Sequence, residues 1–161
     1  MAHDGTGPLV AVIPAEHSSV LHPGAPELVG VSAVDQSYTF LDLPGWVGNA
    51  DIGTSWSLSP NGRWVAYWYA DRGATHGVHP ADGVAVLDTT TGKSRRYGLD
   101  SKLGVSAQPL AWSGDTLWFT QWDFTEINDG GSSAHRRAAY AWPLESDDDP
   151  LSVVAGARPP H

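Results

Sequence analysis

A chain of 161 residues, of which 41% are hydrophobic and 17% charged, is long enough for a folded unit with a sizeable core. Its 18 acidic and 9 basic side chains give a net charge of −9, which argues against nucleic-acid binding because phosphate contacts need clustered Lys and Arg. The lack of cysteine excludes disulfides and thiolate metal sites, and no apolar run is long enough for membrane insertion.

Glycine and proline occur 18 and 12 times and leave no stretch with the apolar spacing of an amphipathic helix. Short strands separated by turns are therefore predicted. The first group of strands is assigned to 8–14, 27–33 and 37–43, within a unit that spans 8–45. This unit lacks one strand that the later units have.

The second unit, 54–98, has the clearest pattern. Pro60-Asn61-Gly62 supplies its first tight turn, because Asn-Gly readily takes the positive φ of a short hairpin. Arg95 and Arg96 in its last strand are typical of a sheet edge, where charge discourages further strand pairing. The four strands of this unit are assigned to 54–58, 63–70, 83–88 and 94–98.

The third unit, 106–154, repeats the order of the second. Ser113 aligns with Ser59 at a spacing of 54 residues, and a repeat near that length is typical of stacked-sheet proteins. The eight Trp residues lie in the predicted strands or near turns, which favours a packing role over a cofactor stack. The four strands of this unit are assigned to 106–112, 116–122, 137–142 and 151–154.

The strands at 64–68 and 117–119 are apolar at successive positions rather than at alternate ones. In an antiparallel sheet this pattern indicates that both faces are covered. We therefore predict an all-β fold of four-stranded antiparallel meanders, stacked as the blades of a β-propeller. The alternative is a β-sandwich of two sheets.

About three blades are predicted in a single segment, 1–161, whereas closed propellers have four to eight. An open stack would leave two apolar faces in water. The chain is thus expected to be part of a longer propeller or to assemble with itself, two copies forming a homodimer that completes a six-bladed ring.

One sequence pattern resembles a known family. Ser59-Pro60-Asn61-Gly62-Arg63 before a hydrophobic strand, followed by Val86-Leu87-Asp88-Thr89-Thr90-Thr91-Gly92-Lys93, is similar to the WD40-like (TolB-type) β-propeller repeats, especially those of actinobacterial secreted or membrane-tethered proteins. The resemblance covers 27–154 and is strongest over 54–98. The third unit lacks the proline of this pattern, and neither the early Gly-His nor the terminal Trp-Asp of true WD40 repeats is present at its expected place in a unit. The resemblance implies a propeller fold and no particular reaction.

The loops between the second and third strands of each unit are predicted at 15–26, 71–82 and 123–136. In a meander they emerge at one edge of the stack, which we call the loop edge. Such loops commonly bind ligands. The ligand-binding candidates at this edge are His17, His22, His76, His79, His135, Asp123 and Glu126.

The same residue types could hold a metal, since imidazole and carboxylate suit Zn²⁺ and related ions. His76, His79 and Asp129 are the candidates, although no helix fixes the spacing of the two histidines. Solvated loop side chains are the simpler interpretation, so no metal or cofactor is assigned. No nucleophile elbow or triad spacing is present, and no catalytic residue is assigned.

The sequence thus favours a non-catalytic propeller scaffold or binding module that recognises a protein, a peptide or a cell-envelope ligand through its loop edge. A metal- or ligand-dependent enzyme using the same edge is one alternative, and a structural blade set of a larger protein is another. An extracytoplasmic or cell-envelope location is expected if the chain is trimmed from a longer protein, and a cytoplasmic one otherwise.

Overall fold

A computed structural model describes residues 5–18, 23–47, 55–71, 81–126 and 132–153. The regular structure within these residues is entirely β. The first sheet contains β1 (Leu9–Ser18), β2 (Pro23–Ser32) and β3 (Tyr38–Phe40). The middle sheet contains β4 (Trp56–Leu58), β5 (Trp64–Tyr69), β6 (Gly83–Asp88) and β7 (Ser94–Gly98). The third sheet contains β8 (Ala111–Ser113), β9 (Thr116–Glu126), β10 (Ser132–Pro143) and β11 (Leu151–Val153).

Each sheet is an antiparallel meander in which strands that follow one another in the chain are neighbours in space. The all-β class, the order of the strands and the smaller first sheet agree with the sequence analysis. Trp64 lies in the middle sheet and Trp118 in the third, so the two repeats form separate sheets. The described residues form three sheets rather than the two of the sandwich alternative.

The middle sheet is buried on both faces, because every residue of β5 and β6 is buried. Side chains alternate along a strand, so neighbours point to opposite faces. Trp64 and Trp68 pack in one apolar cluster with Leu117 of the third sheet. Val65 packs in a second cluster with Leu28 of the first sheet. The successive apolar positions of the sequence therefore reflect a sheet sandwiched between two others.

The turn between β4 and β5 explains the residues of the repeated motif. The Ser59 hydroxyl donates to the Asn61 side chain at 2.7 Å and accepts the Trp64 amide at 2.9 Å. Gly62 has a φ of 73°, a conformation that favours glycine. Its carbonyl accepts the Leu9 amide of the first sheet at 2.8 Å. The motif thus closes a turn and joins two sheets at once.

The same turn also contacts the third sheet. The Asn61 amide group donates to a carboxylate oxygen of Asp115, which occupies the equivalent turn 54 residues later. The indole Nε1 of Trp64 donates to that same oxygen at 3.1 Å. Neighbouring sheets are therefore connected at corresponding positions of their turns.

β7 forms an edge of the middle sheet, as its arginines predicted. These side chains also reach the flanking sheets. Arg95 donates to the carbonyl oxygens of Ser146 and Asp148 in the third unit, and Arg96 donates to that of Pro44 in the first. The charges that protect this edge also hold the stack together.

One predicted strand and two predicted loops differ substantially from the structure. The strand expected at 106–112 is limited to Ala111–Ser113, since Pro109 offers no amide and the carbonyl of Gln108 accepts the Trp68 indole instead of pairing in a sheet. Most of the described residues in the loops predicted at 15–26 and 123–136 belong to strands. β1 pairs with β2, and β9 with β10, through Ser18 and Glu126, because polar residues there continue the ladder.

Asp88 connects the two parts of the family-like pattern, 59–63 and 86–93. Its carboxylate, 9% exposed, accepts Arg63 Nη2 at 3.1 Å and the Thr90 amide and hydroxyl at 2.9 and 2.6 Å. Burial tends to raise the pKa of Asp88, but the hydrogen bonds from Arg63 and Thr90 outweigh burial and hold it below its usual value. Asp88 therefore stabilises the fold most when it is ionised.

We expect Asp88→Asn to lower the free energy of unfolding at neutral pH by about 1.5–3 kcal/mol, the range for hydrogen bonds to a charged group. Because the folded pKa is depressed, the contribution of Asp88 is complete above its unfolded pKa near 4 and is lost as the pH falls toward the folded value. Urea unfolding at pH 7 and pH 3 should show the variant and the parent converging in acid. A gap that stays constant would contradict this assignment.

Candidate functional site

The loop edge is the end of the stack at which β1, β5 and β9 finish. Both β1 and β5 start at the Gly62 turn, since Leu9 bonds to that turn, so both run toward the opposite edge. The β1–β2 and β9–β10 hairpins extend there well past the three-residue strands β3, β8 and β11. This edge therefore carries two projecting hairpins, with the β5–β6 connection between them in chain order.

A connecting segment, 99–106, joins the middle and third sheets along this edge. Val105 exchanges two backbone hydrogen bonds of 2.8 Å with Ala81, two residues before β6 begins. On its other side the Ser106 amide donates to the Trp122 carbonyl at 2.8 Å. The segment thus acts as an extra strand that fixes the loop edges of two sheets next to each other.

A buried polar network lies beneath this segment in the third sheet. Gln121 is 2% exposed and donates from Nε2 to Asp123 Oδ1 at 2.6 Å and to the Asp100 carbonyl at 3.2 Å. Its Oε1 accepts the Tyr140 hydroxyl at 3.0 Å. Burial raises the pKa of Tyr140, which keeps the phenol a neutral donor. Both the nitrogen and the oxygen of the Gln121 side-chain amide are therefore hydrogen-bonded.

Arg137 completes the network from the solvent side. Its Nη1 donates to the Asp100 carbonyl at 2.6 Å and to Asp123 Oδ2 at 3.2 Å, while half of its side chain stays exposed. Arg137 has no ladder partner because β10 has a register shift between Arg136 and Ala138. This β-bulge turns the guanidinium over the edge of the sheet.

A second ion pair lies at the loop edge of the middle sheet. Arg96 Nη1 donates to Asp71 Oδ1 at 2.7 Å, and its guanidinium lies 4.6 Å from the centre of the Tyr69 ring. Asp71 is 65% exposed and Arg96 35% exposed, so solvent screens the pair. The carboxylate of Asp71 is accessible to a partner molecule.

The predicted candidates have different positions in the structure. His135 is exposed on β10 and lies opposite Asp123 in register. Asp123 itself is 8% exposed, and its carboxylate binds Gln121 and Arg137 within the protein. His17 lies opposite Ala25 on β1, and Glu126 lies opposite Ser132 at the end of β9. His22, His76, His79 and Asp129 lie outside the described residues.

The structure thus brings Asp123 and His135 together on one hairpin. His17 lies on a hairpin of another sheet. Among the residues that the structure describes, no group of three His, Cys, Asp or Glu side chains could hold a metal ion.

The residues predicted from the sequence for this site did not include Gln121, Asp100 or Arg137. A signal for Gln121 exists, because the 54-residue period aligns it with Tyr67, and a polar residue at a buried strand position is informative. The contribution of Asp100 is its backbone carbonyl, which every residue has. The contribution of Arg137 depends on a bulge that no residue pattern indicates.

No protein-family model, curated protein or solved structure matches this chain. Within the described ranges no helix has the length and apolarity of a membrane-spanning helix.

Proposed function

We propose that this chain is a run of blades of a WD40-like, TolB-type β-propeller and serves as a non-catalytic module that binds a protein or peptide at its loop edge. The stacked meanders, the 54-residue repeat and the turn motif support the propeller arrangement. The proposed ligands of the loop edge include a cell-envelope component, as the family resemblance suggests.

One observation carries the binding proposal: the two longest hairpins, β1–β2 and β9–β10, extend toward a single edge of the stack. There β10 exposes three consecutive basic side chains, His135, Arg136 and Arg137. Asp71 adds an exposed carboxylate on the adjoining sheet. An extended peptide with acidic side chains could pair with the β10 residues, and a basic residue of the peptide could reach Asp71.

A random peptide library displayed on phage and selected against the immobilised protein tests this proposal. We expect enriched peptides to bind the double variant His135→Ala/Arg136→Ala about tenfold more weakly, roughly 1.4 kcal/mol, because two exposed contacts are lost without disturbing the core. Titration of synthetic copies of the enriched peptides gives the dissociation constants. The pair His76→Ala/His79→Ala extends the test to the β5–β6 connection.

The control carries alanine at exposed residues of the opposite edge, Thr91, Lys93 and Asp147. Peptides that recognise the loop edge should bind this control as they bind the parent. Equal affinity for the loop-edge variants and the control, or no enriched peptide at all, would refute the proposal.

A structural blade set within a larger assembly is the second candidate. It is favoured by the two sheet faces at the ends of the stack, which expose large apolar side chains. These faces are separate from the loop edge, so the two functions do not exclude each other.

A further inference from the structure

The outer face of the third sheet repeats a surface that is buried inside the stack. The face of the middle sheet that packs on the third carries Trp64 and Trp68, which are 5% and 0% exposed. The 54-residue period places Trp118 and Trp122 at the corresponding positions of β9. Leu117, between the turn and Trp118, points to the middle sheet, so both indoles lie on the opposite, outer face.

The indole nitrogens of the buried pair take their acceptors from the next sheet. Trp64 donates to Asp115 on the β8–β9 turn, and Trp68 donates at 2.7 Å to the carbonyl of Gln108, in the chain leading to β8. The Nε1 of Trp118 is itself buried and has no acceptor among the described residues. A buried unpaired donor is costly, and a small rotation of the Trp118 ring on docking would bring it to an acceptor of the following sheet, as Asp115 accepts from Trp64.

The first sheet presents an apolar face at the other end of the stack. Its inner side chains, among them Leu28, pack on the middle sheet. Two cross-strand rows cover its outer face. Ile13, Val29 and Phe40 form one row, and Ala11, Val31 and Tyr38 form the other. Ile13, Phe40 and Tyr38 are 44%, 55% and 72% exposed.

We propose that the outer face of the third sheet docks on the outer face of the first sheet of a second copy of this chain. The chain carries both halves of this interface, and they are related in the same order as the faces that already meet inside the stack. Two copies joined head to tail through two such contacts would close a ring of six sheets, within the four to eight of closed propellers. This inference rests on the blade arrangement proposed above and not on peptide binding.

Sedimentation velocity of the full chain over a wide range of concentration tests this inference. We expect a species of twice the 17.1 kDa chain mass for the parent protein. Thr120→Arg puts a charge between Trp118 and Trp122 on the third sheet, and Ile13→Asp puts one on the first, so each variant alone should be monomeric. Val34→Arg, at a 79% exposed turn residue outside both faces, should dimerise like the parent.

Mixing the two monomeric variants provides a test that misfolding cannot mimic. One of the two contacts in the mixed dimer pairs the introduced arginine with the introduced aspartate and the other is unaltered, so an equimolar mixture should recover the dimer mass. A monomeric parent would overturn the inference. A dimer abolished by Thr120→Arg but not by Ile13→Asp would also do so, since it would mean that third sheets pair with each other. Recovery of the dimer with no peptide binding would refute only the proposed function.

Discussion

Replacing Trp68 by alanine should lower the free energy of unfolding by about 3–5 kcal/mol, the range for deleting a buried large aromatic side chain. Trp68 is fully buried, and its ring meets Phe119 of the third sheet edge-on with ring centres 6.2 Å apart. Its loss would open a cavity between two sheets and leave the Gln108 carbonyl without its donor. Urea unfolding followed by circular dichroism, in dilute solution where only monomer is present, gives the change.

Trp122→Ala is the matched control, because the repeat places it at the position equivalent to Trp68 but on an outer face. The same atoms are removed from a side chain that a single chain leaves partly exposed. We expect less than half of the Trp68→Ala effect. Equal losses for the two variants would mean that the contact between the middle and third sheets does not carry the stability assigned to it.

Gly62→Ala should destabilise the protein by about 3–5 kcal/mol and should loosen the first sheet from the middle one. A methyl group at Gly62 would overlap the Leu9 carbonyl, and the positive φ adds strain for any residue with a side chain. Relief of the overlap would break the Leu9 amide to Gly62 carbonyl bond. Hydrogen exchange should therefore accelerate at the amides of β1 more than at those of β9.

Gly114→Ala separates backbone strain from steric overlap. Gly114 also has a positive φ, 57°, but an added methyl group there would meet no atom within 4 Å. We expect a loss of only about 1 kcal/mol from this variant, the cost of the left-handed conformation. Similar losses at both glycines, or uniform exchange across the sheets in Gly62→Ala, would contradict the role given to the Leu9 contact.

The strand order was predictable because tight turns are specified by few residues. The glycine after Asn61 marks a backbone position with positive φ, and a strand that is apolar at every position, as around Val65, requires cover on both sides. These signals are local in the chain. They were sufficient to predict which strands form each sheet, and that both faces of the strand around Val65 are covered, without any knowledge of distant contacts.

The lengths of the hairpins were not predictable in the same way. Polar residues such as His17 and His135 look like loop residues, yet backbone pairing across a hairpin does not depend on side-chain hydrophobicity. The candidate site shows the same limit. Asp123 was predicted for its chemistry, but its carboxylate binds Arg137, which lies at a bulge and also binds a carbonyl of another segment, and both of these features are non-local.

The contact between Asn61 and Asp115 has a consequence for how alike the repeats can become. The two residues hold the same position in successive units, so a fully uniform repeat would place two carboxylates or two amides against each other. Two carboxylates would repel, whereas an amide beside a carboxylate supplies one donor and one acceptor. Carboxylates are therefore excluded from this position in two neighbouring units at once, so at least one residue of each such pair must carry a hydrogen-bond donor, as Asn61 does.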